Sequence, residues 1–493
     1  VVLLLVLFIN SIVVSQELTP KREFRGTWIA TVGNIDWPSS RNASAFEQIN
    51  ELRRQLKKLK KAGINAVMFQ VRAECDAFYN SSIEPWSYWL TGKQGKAPEP
   101  FYDPLEIAIR EAHALGMELH AWFNPYRAVR NKNAYKPSPD HISRKHPEWI
   151  LTFGRYMMLD PGNPAVKNYI TSVIAEVVKN YDVDGVHFDD YFYPFSPKIT
   201  RQDAGTFKKY HNGYKNIDEW RRYNITSMIS QVYDSIKAIK PYVKFGVSPF
   251  GIVQNHYAGT NGFDSYSNIY SDPLKWINNK NIDYIAPQLY WEIGKPSADY
   301  KSLLKWWSTV AGERHLYIGL YSSKFMSEEW SDKGEIGRQV RLNRNTANVP
   351  GSVFFSSRTI TENISGFADT LAGRLFKYPA LLPVMPWVDS IPPLAPYNLT
   401  ADSAGPGHVI LLWDEPAAAA DGDSAACYVV YKFSNSETPG TNRASSIVFI
   451  TKSNYAIFEK AEINHTTVIV TALDRMQNES DSTAKIVISE FPE

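Results

Sequence analysis

The sequence predicts a (β/α)8 TIM barrel followed by a small all-β sandwich, and three observations predict it. Between Phe24 and Phe376, β-type runs and amphipathic helical runs alternate through eight strands, a pattern that specifies a parallel sheet covered by helices. Joints from helix to strand are short (Lys61–Asn65, Gly116–Met117, Tyr181–Asp184), whereas joints from strand to helix are long (Cys75–Tyr102, Pro125–Asn163, Phe192–Asn216, Gly251–Ser271). Insertions on that side are where such barrels build their active sites. Beyond the last helix only short β runs separated by turn clusters remain, as in a β-sandwich.

Taken in order, Val1–Val14 is almost wholly apolar and Ser15-Gln16-Glu17 turns polar. The run is short for a membrane span and reads as the core of a secretory signal covering residues 1–16. No Cys follows it, so no lipid anchor is expected. The exported chain is expected in the periplasm, at the cell surface or secreted, and is not membrane-spanning.

The barrel, residues 24–377, has predicted strands Arg25–Thr31, Ala66–Ala73, Glu118–Asn124, Gly185–Tyr191, Lys244–Phe250, Tyr284–Trp291, His315–Ser322 and Ser352–Arg358. Helical stretches include Ala45–Ala62, Pro104–Leu115, Pro164–Asn180, Ile217–Lys240 and Gly334–Asn345. Several open with Asp or Asn followed by Pro, as at Asp103-Pro104, Asn163-Pro164 and Asp272-Pro273, an N-cap with proline in the first turn. Residues 378–396 carry six prolines and read as a stiff linker. The module, residues 397–493, has β runs at His408–Trp413, Cys427–Phe433, Ile447–Thr451, Thr467–Leu473 and Lys485–Ser489.

Composition excludes several function classes. The 53 basic and 51 acidic residues leave a net charge of +2, too little for a chain-wide footprint on nucleic acid or anionic lipid. Two cysteines, Cys75 and Cys427, provide neither a disulfide framework nor a thiolate metal cluster. Neither a His-Glu-x-x-His run nor a Gly-rich dinucleotide turn is present, and Gly246–Gly251 is not a nucleophile elbow. No metal or cofactor is expected. Aromatic residues reach 13%, with 14 Trp, 28 Tyr and 24 Phe, enough for a stacking surface on sugar rings as well as a core.

Alternation along a strand sends every second side chain to the same face. In the fourth strand that puts His187, Asp189 and Tyr191 together, and in the sixth Ala286, Gln288 and Tyr290, with Glu292 continuing the parity. Hydrolysis of a glycosidic bond needs an acid to protonate the leaving oxygen and a carboxylate to attack or to activate water. The expected pair is Asp189 as nucleophile or base and Glu292 as acid, beside Trp291. Asp190 is expected to orient a loop or a substrate hydroxyl, and Glu74 is the reserve acid. Arg72, Asn124, His187 and Gln288 are candidates for binding sugar hydroxyls, and Trp37, Trp122, Tyr126, Tyr191, Tyr193 and Trp291 for the stacking platform.

Phe24–Thr31 (FRGTWIAT), Asn34–Pro38 (NIDWP), Phe69–Arg72 (FQVR), Trp122–Arg127 (WFNPYR), Asp184–Tyr191 (DGVHFDDY) and Ile285–Trp291 (IAPQLYW) together resemble the glycosyl-hydrolase-like 10 family of bacteria. The resemblance, over about Phe24 to Phe376, implies an exported TIM-barrel glycoside hydrolase acting on cell-wall or other polysaccharide. The fourth-strand motif also resembles the Gly-x-Arg-x-Asp of alpha-amylase-like barrels, with Asp189 at the nucleophile position and His187 where those have Arg. Chitinase-like barrels end the comparable strand in a catalytic Glu, where this chain has Tyr191. The C-terminal module resembles fibronectin type III through Pro393, Leu399, Leu412-Trp413, Tyr428–Tyr431 and Val470–Asp474. That implies a spacer or docking domain, one that could associate with the cell wall. Two other readings stay open: a glycan-binding barrel without catalysis, and an esterase or transferase on the same scaffold.

Overall fold

The computed structural model describes residues 19–326, 330 and 332–489, so the signal segment expected at residues 1–16 lies outside them. Eight parallel strands close a barrel: β1 (Phe24–Ile29), β2 (Ala66–Arg72), β3 (Glu118–Phe123), β4 (Gly185–Phe188), β5 (Lys244–Val247), β6 (Tyr284–Ile285), β7 (His315–Leu320) and β8 (Gly351–Phe354). Each strand pairs with the next in sequence, and β8 closes on β1 with Phe24 opposite Gly351 and Thr27 opposite Phe354. Every strand residue except the half-buried His315 is buried, because helices cover one face and the barrel interior the other.

The helices start where their caps dictate. In α1 (Ala45–Lys61) Ser44 and Glu47 form a capping box. Asp103 accepts from the main-chain N–H groups of Leu105 and Glu106 at the head of α2 (Pro104–Ala114). Asn163 caps α3 (Pro164–Asn180) and Asn216 caps α4 (Ile217–Ile239). Asp272 caps α5 (Pro273–Asn278), Asp299 caps α6 (Tyr300–Val310), and α7 (Glu335–Arg344) follows β7.

Two strands are shorter than their sequence runs. β6 stops at Ile285 rather than Trp291 because Pro287 has no N–H to give the ladder; Gln288 keeps single bridges to Phe250 and Gly319. β4 stops at Phe188 rather than Tyr191 because the chain turns at once, with Phe192 N–H donating to the Asp190 carbonyl at 2.9 Å. Both aspartates therefore stand on that turn.

The barrel interior holds aromatic rings, Phe24, Trp28, Trp122, Tyr284 and Tyr317 among them, threaded by a polar ladder. Trp28 Nε1 donates to His187 Nε2 (2.9 Å), and the Tyr284 hydroxyl lies 2.9 Å from both His187 Nδ1 and His120 Nδ1. His120 Nε2 meets Glu118 Oε2 at 3.1 Å, and Lys244 Nζ donates to Glu118 Oε1 at 2.5 Å.

The C-terminal module consists of β9 (Tyr397–Ser403), β10 (His408–Asp414), β11 (Cys427–Ser434), β12 (Ile447–Thr451), β13 (Tyr455–Glu459), β14 (Thr466–Leu473) and β15 (Ile486–Ile488). They form two antiparallel sheets, ordered β9-β10-β13 and β12-β11-β14-β15, around Val409, Leu411, Trp413, Val430, Val468 and Val470. β9 and β13 are absent from the sequence reading; β9 buries only Leu399 and so leaves little apolar signal, whereas β13 is a short apolar run that buries Ala456 and Phe458. The module packs at the N-terminal end of the barrel strands. Arg475 pairs with Asp182 at 2.8 Å, and Lys21 with Glu479. In the proline-rich stretch read as a stiff linker, Leu381 bridges to Arg22, and Ala380, Leu382 and Met385 are buried. Among the described residues no helix is long and apolar enough to cross a membrane.

Candidate active site

The long loops gather at the opposite end, the C-terminal mouth. The loop from β3 to α3 folds into its own small antiparallel sheet, Arg127–Val129, Tyr156–Leu159 and Ile150–Phe153, which delivers Arg127 and Tyr156 to the mouth. There a cavity of about 600 Å³ is walled by Trp122, Tyr156, Tyr191, Phe195 and Phe355, with Ala30, Val32 and Ile35 on the β1 side. Its polar wall is Gln70, Arg127, Arg130, Ser196 and Asp189. Among the described residues, Asp189 is the one carboxylate in that wall.

Asp189 is held from both sides. Its Oδ2 accepts from Asn124 Nδ2 and from Trp122 Nε1 (3.2 Å), and its Oδ1 from the Tyr191 main chain (3.4 Å). Asn124 is itself fixed, its carbonyl taking Gln70 Nε2 at 2.5 Å, while Gln70 Oε1 receives the N–H groups of Thr31 and Val32, each at 2.9 Å. The ends of β1, β2 and β3 thus converge on one carboxylate. Burial pushes Asp189 up to about 6, against the pull of the Arg127 charge and its donors. Arg127 lies over the Tyr191 ring, 4.3 Å from its centre. Asp190 is buried behind it; burial and then the Asp189 charge push its carboxyl up to about 8, opposed in part by a Gln288 hydrogen bond.

The structure therefore brings Asp189, Trp122 and Tyr191 to one cavity, with Asn124 bonded to Asp189 behind the wall and Asp190 buried beside it. The other residues singled out in the sequence have different surroundings. Glu292 is half-buried and is not in the cavity wall; its main-chain carbonyl receives Lys295 and Tyr300 N–H groups, each at 3.3 Å. Glu74 is buried and accepts from Trp89 Nε1 (2.6 Å), Tyr135 Oη (3.2 Å) and the Arg130 main chain, so it braces the loop. Trp37 packs in the core against Phe69 and Phe78 and donates to the Gln48 carbonyl. Tyr126 is fully buried beside Phe192, and Trp291 packs edge-on against Phe250. His187 is the second rung of the interior ladder.

Arg72 grips Glu84 through two bonds of 2.8 and 2.6 Å and pins the end of β3 through the Asn124 and Pro125 carbonyls at 2.7 and 3.0 Å. Replacing Arg72 with Met strands the buried Glu84 carboxylate, and we expect a loss of about 3–5 kcal/mol in chemical denaturation. An unchanged midpoint would show that the pair contributes little. Sequence reading misses Arg130, Tyr156, Phe195 and Phe355 as site residues and gives Arg127 no role there; it places Gln70 on the inward parity of the second strand without a specific task. Arg127 had a signal, three positions past Asn124 in the WFNPYR run; Tyr156, inside Tyr-Met-Met-Leu, had none.

A closed eight-stranded barrel whose mouth holds a carboxylate among aromatic rings has the form of a glycosidase-type TIM barrel. The profile described as Glycosyl hydrolase-like 10 matches residues 23–333, and the chain belongs to that family. It is 39% identical to the glycosyl hydrolase YngK of Bacillus subtilis (strain 168), over 97% of this chain and 96% of that one. It is 40% identical to the glycosyl hydrolase DigH of Escherichia coli (strain K12), over 67% of this chain and 82% of that one. A superposition on the glycoside hydrolase domain of PgaB (BpsB) from Bordetella bronchiseptica covers 71% of this chain and 98% of that one, at 10% identity and a TM-score of 0.47.

Proposed function

We propose that this protein is an exported glycoside hydrolase that cleaves O-glycosidic bonds of a bacterial cell-wall or other polysaccharide, with Asp189 as the working carboxylate. One observation carries the reading: Asp189 faces an aromatic-walled cavity at the barrel mouth, fixed by Asn124 and Trp122. With a carboxyl near 6 it is ionised at neutral pH, as a group must be that attacks the anomeric carbon or takes a proton from water. A second acid protonates the departing oxygen as the bond breaks. We assign that role to Glu292, which follows β6 at its C-terminal end; Asp190, whose carboxyl at about 8 keeps its proton at neutral pH, is the competing assignment. The two-sheet module, with three strands facing four, supports reading it as a fibronectin type III-like spacer or wall-docking domain.

Glu292→Gln and Asp190→Asn, assayed separately for reducing-end release on a glycan panel, distinguish the acids. We expect the true acid's variant to lose about 10²–10⁴-fold in kcat, with loss confined to substrates whose leaving group needs protonation. If neither change alters release, both assignments fail. A second reading, a glycan-binding barrel without catalysis, is favoured by the single carboxylate in the wall. It predicts binding without release by the unaltered protein.

A further inference from the structure

We propose that the cavity at the seam between barrel and module is a second binding site, which takes a single amphiphilic phosphate with its head among lysines and its apolar stem on the module. The cavity, about 420 Å³, lies at the N-terminal end of the barrel strands, away from the mouth, where the joints into β2 and β3 meet β12. Lys60 and Lys61, from the last turn of α1, and Lys377, from the end of the barrel chain, line it. Among the described residues no carboxylate does. In a chain with 53 basic and 51 acidic residues that imbalance is local, and a wall of one sign attracts the opposite charge.

A helix C-terminus favours basic residues, and the exposed Lys61 meets that need while keeping its water. Lys60 does not. It is half-buried, and among the described residues it has neither an ion pair nor a hydrogen bond. Burial pushes its ammonium down to about 8; the Cys427 thiol opposes that push and the Arg25 guanidinium adds to it. More positive charge stands behind the Phe376 wall. Arg25 lies 4.3 Å from the centre of that ring, and Glu23 is shared between Arg25 and Arg344, two cations to one anion. Arg25 Nη2 is buried without a partner.

The lining selects the kind of anion. A planar carboxylate is best met by a guanidinium fork, whereas separate ammonium groups suit a tetrahedral phosphate, and among the described residues no arginine lines this cavity. Much of the remaining wall is apolar, with Leu115 from the barrel and Val448, Phe449 and Ile450 from β12. Gly116, at φ +62°, lets the Ile450 carbonyl oxygen stand 3.1 Å from where a Cβ on that residue would be. Barrel and module thus close on each other at one edge of the cavity, and a ligand that fills it touches both.

The probe is n-octyl phosphate below its micelle concentration, titrated by calorimetry into the full chain at pH 7, with inorganic phosphate and n-octanol as its two halves. We expect octyl phosphate to bind about tenfold or more tightly than either half. Lys60→Met keeps the stem and removes the charge, and should bring octyl phosphate down to the level of octanol, whereas Lys60→Arg should keep most of the affinity. Phe449→Ala should weaken octyl phosphate and leave inorganic phosphate as it was. The charge removed is unpaired, so Lys60→Met should not lower the melting temperature of the free protein; it should abolish the rise that octyl phosphate causes. Binding no tighter than that of octanol or of phosphate alone, or binding that Lys60→Met leaves unchanged, overturns the proposal. Lys60-dependent sedimentation with phosphatidic acid vesicles, without binding of the free probe, also overturns it and makes the seam a membrane contact.

Discussion

Replacing Asp189 with Asn is expected to lower glycan hydrolysis by about 10³-fold or more while leaving the fold intact. The substitution is isosteric, so an amide oxygen can still accept from Asn124 and Trp122, the partners of Oδ2. What disappears is the negative charge beside the anomeric carbon, where positive charge develops as the bond breaks. The pH dependence follows from the same group. Its carboxyl is held near 6 by burial, and it acts ionised, so kcat/KM of the unaltered protein should fall about tenfold per pH unit below about 6. Stability moves in the opposite sense. The folded-state value lies above the ordinary 3.8, so between those values the native state binds more protons than the unfolded chain. Stability from this residue is present below that window and is lost as pH rises through about 6. Asp189→Asn removes that slope, and its melting temperature relative to the unaltered protein should rise between pH 4 and 7. Full activity in the variant, or an acid limb that survives the substitution, would exclude Asp189 as the working carboxylate.

The barrel is legible in sequence because its signals are local and repeated. Asp103-Pro104, Asn163-Pro164 and Asp272-Pro273 announce helix starts that the structure keeps, and unequal joint lengths identify the functional face. The site is only half legible. Strand parity places Asp189, Asn124 and Trp122 on inward positions, and they do meet. Parity says nothing of depth along the barrel axis, however, and so it groups His187 with residues of the mouth although that side chain lies on an interior rung. Parity also needs a strand that continues. Pro287 ends β6 early, and Glu292, seven residues beyond Ile285, is no longer governed by the alternation. The Arg127–Leu159 excursion gives no periodic signal strong enough to stand out from a loop, yet it supplies Arg127, Arg130 and Tyr156 to the cavity.

The interior ladder carries the largest expected effect on stability: Tyr284→Phe should cost roughly 2–6 kcal/mol, counted as two buried groups left unpaired at about 1–3 kcal/mol each. The direction of every hydrogen bond is fixed from its ends. Trp28 Nε1 can only donate, so His187 Nε2 accepts and its proton sits on Nδ1, pointing at the Tyr284 oxygen. At the other end the Glu118 carboxylate, held ionised by Lys244, accepts from His120 Nε2, which leaves His120 Nδ1 to accept the Tyr284 proton. One hydroxyl therefore serves both imidazoles, accepting from one and donating to the other, and phenylalanine does neither. The ring has no alternative seat, since the space where a Cβ on Gly246 would stand lies 2.1 Å from its Cζ. Tyr317→Phe is the internal comparison, because that hydroxyl serves only His315 at 2.8 Å among the described residues and should cost about half as much. Denaturant midpoints at constant slope measure both. A loss under about 1 kcal/mol for Tyr284→Phe would mean that the imidazoles find other partners and that the ladder does not fix the interior. If the full loss is seen, its effect should reach the mouth, because the uppermost rung is Trp28, whose ring lies 6.2 Å from that of Phe355 in the cavity wall. An unsupported indole there should raise KM for the glycan in the variant before it changes kcat.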